Sequence, residues 1–193
     1  ENEAVEALMD AILYASRVTD ENDPVAEWKE HTKRLDDHSK MLNNYHFKTL
    51  KFKNAKGTDM SIDLVEKHIW AGGAENSLNG FVFAPNIPTE EVFTMPHAQG
   101  VNGRVVATLP LNYNGKLIEN FYLDFKDGEV VSYGAEKEQE TLKYLLEMDE
   151  GSKRLGEVAL ISHDSPISNL NILFYNTLFD ENASCHLALG NAY

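Results

Sequence analysis

The spacing of apolar residues changes once, near residue 45, and this change most constrains the fold. Before it, apolar side chains recur at intervals of three and four residues, at Val5, Leu8, Met9, Ile12 and Leu13. Such spacing predicts an amphipathic helix. Asp23-Pro24, an N-cap residue followed by proline, predicts the start of a second helix. The chain up to residue 44 is therefore expected to be helical.

Beyond residue 45, apolar and polar side chains alternate as they do in half-buried strands. One strand is predicted over 60–64 and another over 117–125, and Asp127-Gly128 predicts a hairpin turn. Later segments are expected as a helix over 135–149, a buried strand over 158–161, a helix from Ser165-Pro166 to Phe179, and a strand over 185–189. This order predicts an α+β fold with a mixed, largely antiparallel sheet and flanking helices.

The charge balance excludes some partners. The chain has 31 acidic and 17 basic residues, which gives a net charge of −14. Such a surface repels phosphate groups, so neither nucleic acid nor a membrane is an expected partner, whereas cations are attracted. The single cysteine, Cys185, excludes an internal disulfide and favours the reducing cytoplasm.

Familiar catalytic motifs are absent. Ser162-His163-Asp164 has the residue types of a triad, but such triads are assembled from separate segments, and neighbours in a strand face opposite ways. The sequence contains no HExxH, no CxxC and no phosphate-binding glycine loop. Ala71-Gly72-Gly73 is interpreted as a flexible loop.

A few carboxylates and one histidine stand beside apolar strands. Glu157 precedes the buried run 158–161, Glu90 and Glu91 precede a β-favouring run, and His186 precedes Leu187. Each has an ordinary alternative: a strand end that reaches water, a solvated turn, or a hydrogen-bonded core histidine. Together they are hard and borderline ligands for zinc, cobalt or manganese, which gives a weak indication of a metallohydrolase.

Three longer blocks carry a more specific signal. They are NIPTEEVFTMPH at 86–97, LGEVAL at 155–160 and FYNTLFDENASCHLALG at 174–190. Their order and content resemble the thermophilic-type metallo-aminopeptidases, peptidase family M29. The resemblance extends back through 57–59 and 68–73 and covers most of the chain from about residue 28.

The resemblance implies two divalent metal ions (Zn, Co or Mn), removal of N-terminal amino acids from peptides with a free N-terminus, a cytoplasmic location and a homodimer. Residue by residue, the family's metal ligands fall on Glu91, with Glu90 as the second choice, on Glu157, on His186 and on Tyr193. The general base is not identified; Glu90 is a candidate.

The family pattern also predicts the organisation of the chain. It resembles a central part of a larger two-domain enzyme about twice as long, whose His-x-Asp pair would follow further downstream. Residues 1–44 are expected to end, or to link from, an N-terminal domain, and 45–193 to form a metal-site domain truncated at its C-terminus. The isolated chain is accordingly expected to be inactive. The alternative is a metal-free dimerisation or peptide-binding module, and apolar residues over 118–131 suggest a dimer contact.

Overall fold

The computed structural model describes residues 2–191. Its α-helices are α1 (Asn2–Ala15), α2 (Pro24–Tyr45), α3 (Gln139–Leu146), α4 (Pro166–Leu170) and α5 (Thr177–Glu181). Its strands are β1 (Thr49–Lys53), β2 (Asp59–Leu64), β3 (Glu75–Asn76), β4 (Val82–Phe83), β5 (Glu91–Thr94), β6 (Pro96–Val106), β7 (Leu111–Tyr113), β8 (Lys116–Ile118), β9 (Tyr122–Lys126), β10 (Glu129–Gly134), β11 (Leu155–Ile161) and β12 (His186–Leu189). None of the helices in this part of the chain could cross a membrane.

The strands form two main sheets. One has five strands in the order β1-β2-β6-β9-β10, and the other has three in the order β12-β11-β5. Two small hairpins, β3-β4 and β7-β8, complete the strand pairs. All the pairings among these strands are antiparallel. The predicted α+β class with a largely antiparallel sheet is confirmed.

Helix α2 begins where the sequence predicted. The Asp23 side chain accepts hydrogen bonds from the backbone amides of Val25 and Ala26, so it satisfies two of the otherwise free amides of the first turn. The buried side chains follow at helical spacing: His31, Leu35, Ser39 and Leu42. Leu35 and Leu42 enter the same apolar core as the strands. The change from helix to strand falls between residues 45 and 49, and the proposed division into two domains stays a prediction.

The core joins the two sheets. It contains Met60 and Ile62 of β2, Leu123 and Phe125 of β9, Leu142 and Leu146 of α3, and Leu155 and Val158 of β11. Val158 is fully buried, so β11 is held from one side by close packing. The strands next to β11 therefore rest on a rigid support.

Three predicted elements are shorter than expected. The strand over 117–125 is divided into β8 and β9 because Asn120 has a positive φ of 49°, and its side-chain amide donates to Glu136. The helix from Pro166 stops at Leu170, since Asn171 takes the left-handed conformation at φ 50°. Asparagine accepts this conformation more readily than most residues. Helix α3 is also shorter than the predicted range 135–149.

The apolar residues over 118–131 are mostly used inside the protein. Ile118, Leu123, Phe125 and Val130 are buried, and Val131 is 60% exposed. The core therefore accounts for most of the apolar side chains that suggested a dimer contact there. The homodimer itself stays a prediction.

Candidate metal centre

Strand register brings Glu91, Glu157 and His186 to one face of the three-stranded sheet. In the pairing of β11 with its neighbours, Ile161 lies opposite Glu91 and Ala159 lies opposite His186. Residues directly opposite each other share a face, as do residues two apart along a strand. Positions 157, 159 and 161 therefore place both partners on the face that carries Glu157. A slip of one residue in either pairing would separate the three side chains.

The side chains converge as the sequence analysis expected. His186 Nε2 lies 3.0 Å from Glu91 Oε2 and 3.6 Å from Glu157 Oε1. One ligand-type atom from each of the three residues lies within 4.8 Å of the other two. Ala159 of β11 pairs with His186 on one side and with Phe93 on the other, and Ile161, two residues further along, pairs with Glu91. Residues from three separate strands thus form one compact cluster.

The backbone orients the His186 ring. Its Nδ1 lies 3.2 Å from the carbonyl oxygen of Ser184, which leaves Nε2 facing the carboxylates. Burial alone would lower the pKa of His186, but the neighbouring carboxylates of Glu157 and Glu91 outweigh it and raise the pKa to about 10. In the metal-free cluster His186 is therefore an imidazolium at neutral pH.

The segment Ala71-Gly72-Gly73 is attached to β5. Ala71 exchanges two backbone hydrogen bonds with Phe93, of 3.0 and 2.8 Å. A Cβ at Gly72 would lie only 2.6 Å from the carbonyl oxygen of Glu91, so glycine permits this close approach. The predicted loop is therefore tied at Ala71 to the strand that carries Glu91.

Two cavities meet at the cluster. One of about 570 Å³ is lined by Glu91, Glu157 and Glu181 together with residues 70–75. The other, of about 730 Å³, is lined largely by apolar residues and reaches His186 and Glu181. The cluster therefore lies on the walls of cavities large enough for a small organic ligand.

Glu181 is a residue that the sequence analysis missed. It ends α5 and lines both cavities. Burial raises the pKa of Glu181 most strongly; the charge of His186 lowers that pKa, and those of Glu91 and Glu157 raise it. It lies beside Asp180 within the third block, 174–190, but that sequence carries no periodicity that separates a cavity residue from a solvated one.

The remaining candidates lie elsewhere. The carboxylate of Glu90 is buried and held by Arg17, and Glu90 lines neither cavity, so this geometry gives no support to Glu90 as a general base. Ser162, His163 and Asp164 are exposed in a loop, where Asp164 accepts from Asn169. Tyr193 lies outside the described residues.

The cluster fits a divalent metal by its chemistry. Glu91 Oε2 is a buried oxygen that accepts no well-directed hydrogen bond from residues 2–191, although His186 Nε2 lies 3.0 Å from it. Such an oxygen costs free energy unless a cation or donor satisfies it. Two carboxylates and one imidazole also match the catalytic metal sites that keep one position open.

The whole chain matches one known family. The family model of the thermophilic metalloproteases (M29) matches residues 1–193. Over all 193 residues the chain is 55% identical to aminopeptidase 2 of Geobacillus stearothermophilus and 48% identical to aminopeptidase T of Thermus aquaticus. It covers 46% and 47% of those relatives, so it spans about half their length.

Solved structures show the same fold. AmpT from Thermus thermophilus superposes with a TM-score of 0.91 at 44% identity, over 99% of this chain and 46% of that one. A 2,5-dihydroxypyridine dioxygenase from Pseudomonas putida KT2440 gives 0.57 at 16% identity, over 80% of this chain and 46% of that one, which is a likeness of fold alone. The family match over residues 1–193 and the similar relatives agree with the three sequence blocks. The chain therefore belongs to the thermophilic metalloprotease family, the M29 peptidases.

Proposed function

We propose that this chain carries part of the active site of a metal-dependent aminopeptidase that removes N-terminal amino acids from peptides. The convergence of Glu91, Glu157 and His186 on one sheet face, with ligand-type atoms within 4.8 Å, carries this proposal. It is supported by the names of the relatives, which are aminopeptidases. A metal-free module would have no use for two carboxylates and a histidine gathered beside a cavity.

Glu91 Oε2, Glu157 Oε1 and His186 Nε2 would hold the metal. Oxygen and imidazole donors suit zinc, cobalt and manganese, so this set does not choose among them. The proposed site has two ions, as the resemblance implies, and it needs more protein ligands than these three. Tyr193 and the family's downstream His-x-Asp pair are the proposed additional ligands. We therefore expect the 193 residues alone to bind metal weakly and to be inactive.

When bound, the ions supply an activated water and polarise the scissile carbonyl. Glu181 is placed to take a proton at its carboxylate, because it lines both cavities and burial raises its pKa. The Ser184 carbonyl keeps the His186 ring in one orientation during the reaction. Each of these roles belongs to a side chain or a backbone group next to the cluster.

Recognition of a free N-terminus follows from the charges in the smaller cavity. Glu91, Glu157 and Glu181 line it together. Glu91 and Glu157 would hold the metal, which leaves Glu181 as the carboxylate that attracts the α-ammonium group of a peptide. Blocking that group removes the attraction. The proposed partners are therefore peptides with a free N-terminus, together with a second copy of the protein in a homodimer.

The test uses the longer protein that contains these 193 residues and the proposed downstream ligands (the intact protein), dialysed against chelator and reloaded with Zn²⁺, Co²⁺ or Mn²⁺. We expect hydrolysis of a panel of aminoacyl p-nitroanilides that depends on the added metal. The matched substrate is N-acetyl-leucine p-nitroanilide, which keeps the scissile bond but lacks the charged amine, and it should not be cleaved. Metal-independent turnover, or equal cleavage of the acetylated substrate, would contradict the proposal.

A further inference from the structure

Glu90 is the centre of a buried polar network behind the metal cluster. It is 7% exposed, and both of its carboxylate oxygens accept hydrogen bonds from the two terminal nitrogens of Arg17, the second at 2.9 Å. Its backbone amide donates to Asn182 Oδ1 at 2.8 Å. Asn182 is itself fully buried, and its Nδ2 donates to the Leu178 carbonyl at 2.9 Å. One residue thus connects the turn after α1, strand β5 and helix α5.

Arg17 is the counter-ion of this buried carboxylate. His31 Nε2 also lies 3.6 Å from Glu90, but it makes a 2.7 Å hydrogen bond with the carbonyl oxygen of Thr89. Burial lowers the pKa of His31, which keeps the ring neutral near pH 7 and able to donate that bond. Arg17 is only 9% exposed, and its guanidinium lies over the Trp28 ring at 5.8 Å. Because two guanidinium nitrogens bond to the two carboxylate oxygens, the pair fixes the orientation of the Glu90 carboxylate and also balances its charge.

We propose that Glu90 is a positioning residue for the metal cluster, and that it sets the place of Glu91 and Glu181 through its bonds to Arg17 and Asn182. This inference rests on the proposed function. Glu90 precedes Glu91 directly, and Asn182 follows Glu181 directly. The hydrogen bond between Glu90 and Asn182 therefore ties the start of β5 to the end of α5, one residue away from each cavity carboxylate.

The network is placed so that it can position the metal ligand Glu91. Glu90 lies one residue before β5; its side chain is paired with Arg17 and lines neither cavity, whereas Glu91, the first residue of β5, lines the smaller cavity. Metal–ligand distances tolerate errors of about 0.2 Å, and a site is lost when its supporting residues let it move by more than about 0.5 Å. Because Glu90 and Glu91 are consecutive residues, a small displacement of Glu90 also displaces Glu91.

A purely structural role predicts something different. Buried ion pairs often contribute little to stability, and removing one partner costs stability because the other charge is left unpaired. If Glu90 only supported the fold, its variants would melt at lower temperature but would bind metal normally while folded. Metal affinity measured below the melting transition separates the two roles.

The experiment titrates Co²⁺ by calorimetry into the intact, metal-free protein and its variants. The variants are Glu90→Gln, which keeps the shape and loses the charge, and Asn182→Ala, which removes the acceptor for the Glu90 amide. The matched control is Arg104→Met. Arg104 also makes a two-pronged pair, with Asp124 at 2.6 and 2.7 Å, and also lies over an aromatic ring, but it belongs to β6 in the other sheet.

We expect Glu90→Gln and Asn182→Ala to weaken Co²⁺ binding at least about tenfold while cooperative melting is retained, and Arg104→Met to change it less than about twofold. In the metal-free protein, hydrogen exchange of the amides of 90–92 should accelerate in the two variants only. If Glu90→Gln does not fold, Arg17→Lys, which keeps the charge and loses the fork, is measured instead and should weaken binding in the same direction.

Folded variants with wild-type Co²⁺ affinity and unchanged exchange at 90–92 would overturn the inference. Failure of the proposed function looks different. In that case the wild-type protein itself would not bind Co²⁺, whereas faster exchange in the variants would still report the positioning role of Glu90.

Discussion

His186 Nε2 lies 3.0 Å from Glu91 Oε2, although strand β11 separates the two strands that carry them. Along β11, His186 lies opposite Ala159 and Glu91 lies opposite Ile161, two residues further on. In the metal-free protein this contact is an ion pair. A metal bound by the same two atoms would have to displace the proton from Nε2, so protons and metal ions compete for the cluster.

The first prediction concerns this competition. Since the pKa of His186 is raised to about 10, the ring is protonated at pH 7.5 before metal binds. Binding of Zn²⁺ should therefore release about one proton from this residue, and affinity should rise with pH. Calorimetry in buffers of different ionisation enthalpy measures the number of protons released when Zn²⁺ binds. His186→Gln should lower the number of released protons by about one. An equal number in the variant would contradict the assignment of that proton to His186.

The second prediction uses the opposite pKa shift of His31. Burial lowers the pKa of His31 below its ordinary 6.5, so the unfolded chain binds more protons than the folded one as the pH falls. The free energy of unfolding should decrease from pH 6.5 downwards for this reason. His186, whose pKa is raised, gives its full stabilisation below 6.5 and loses it only as the pH rises towards 10, so the two windows do not overlap.

Urea unfolding of the metal-free protein between pH 5.5 and 8 tests this. His31→Gln keeps a side-chain donor for the Thr89 carbonyl but cannot titrate, so the loss of stability below pH 6.5 should become shallower. An unchanged slope in that variant would show that other groups cause the acid destabilisation.

The third prediction concerns Glu157, which lies in β11 between the other two ligand strands. Glu157→Gln in the intact protein should reduce aminopeptidase activity at least about tenfold, because the amide keeps the shape but loses the charge that offsets a dication. The metal-free protein should lose part of the stabilisation that Glu157 gives to the His186 imidazolium but should still unfold cooperatively, since the Glu157 side chain is one third exposed. Glu140→Gln makes the same chemical change at an exposed position outside both cavities and should leave activity unchanged. Activity of Glu157→Gln above a tenth of wild type would mean that Glu157 is not required.

The fourth prediction concerns the contact of Gly72 with β5. Gly72→Ala would place a methyl group 2.6 Å from the Glu91 carbonyl oxygen, so either β5 or the 71–73 segment must shift. We expect a loss of stability of about 1–3 kcal/mol and weaker Co²⁺ binding. Gly80→Ala is the matched variant. An alanine would be strained at the φ of 80° found there, but its Cβ would meet nothing within 4 Å. It should lose stability without losing metal affinity. Equal Co²⁺ affinity in both variants would mean that the contact of Gly72 with β5 does not affect metal binding.

Much of the fold and part of the candidate site could be predicted from the sequence alone. Asp23-Pro24 predicted the start of α2, and Asp127-Gly128 predicted the hairpin between β9 and β10, because capping and turn residues act on their immediate neighbours. The family resemblance, which rests on long uninterrupted blocks, pointed to Glu91, Glu157 and His186. The breaks at Asn120 and Asn171 were not foreseen, since a left-handed asparagine leaves no periodic signal.

Tertiary structure decided the rest. Glu90 and Glu91 are identical neighbours in the sequence, yet the Glu90 carboxylate is paired with Arg17 and the Glu91 carboxylate faces the cavity. Glu90 lies just before β5 and Glu91 lies in it, and the register of β5 with β11 sets the direction of Glu91. Glu181 entered the site for the same kind of reason: the Asn182 hydrogen bond to Glu90 holds α5 against β5, and this bond joins residues far apart in the chain. Local sequence set the types of side chain and the elements that carry them; long-range register and packing determined which carboxylates could meet.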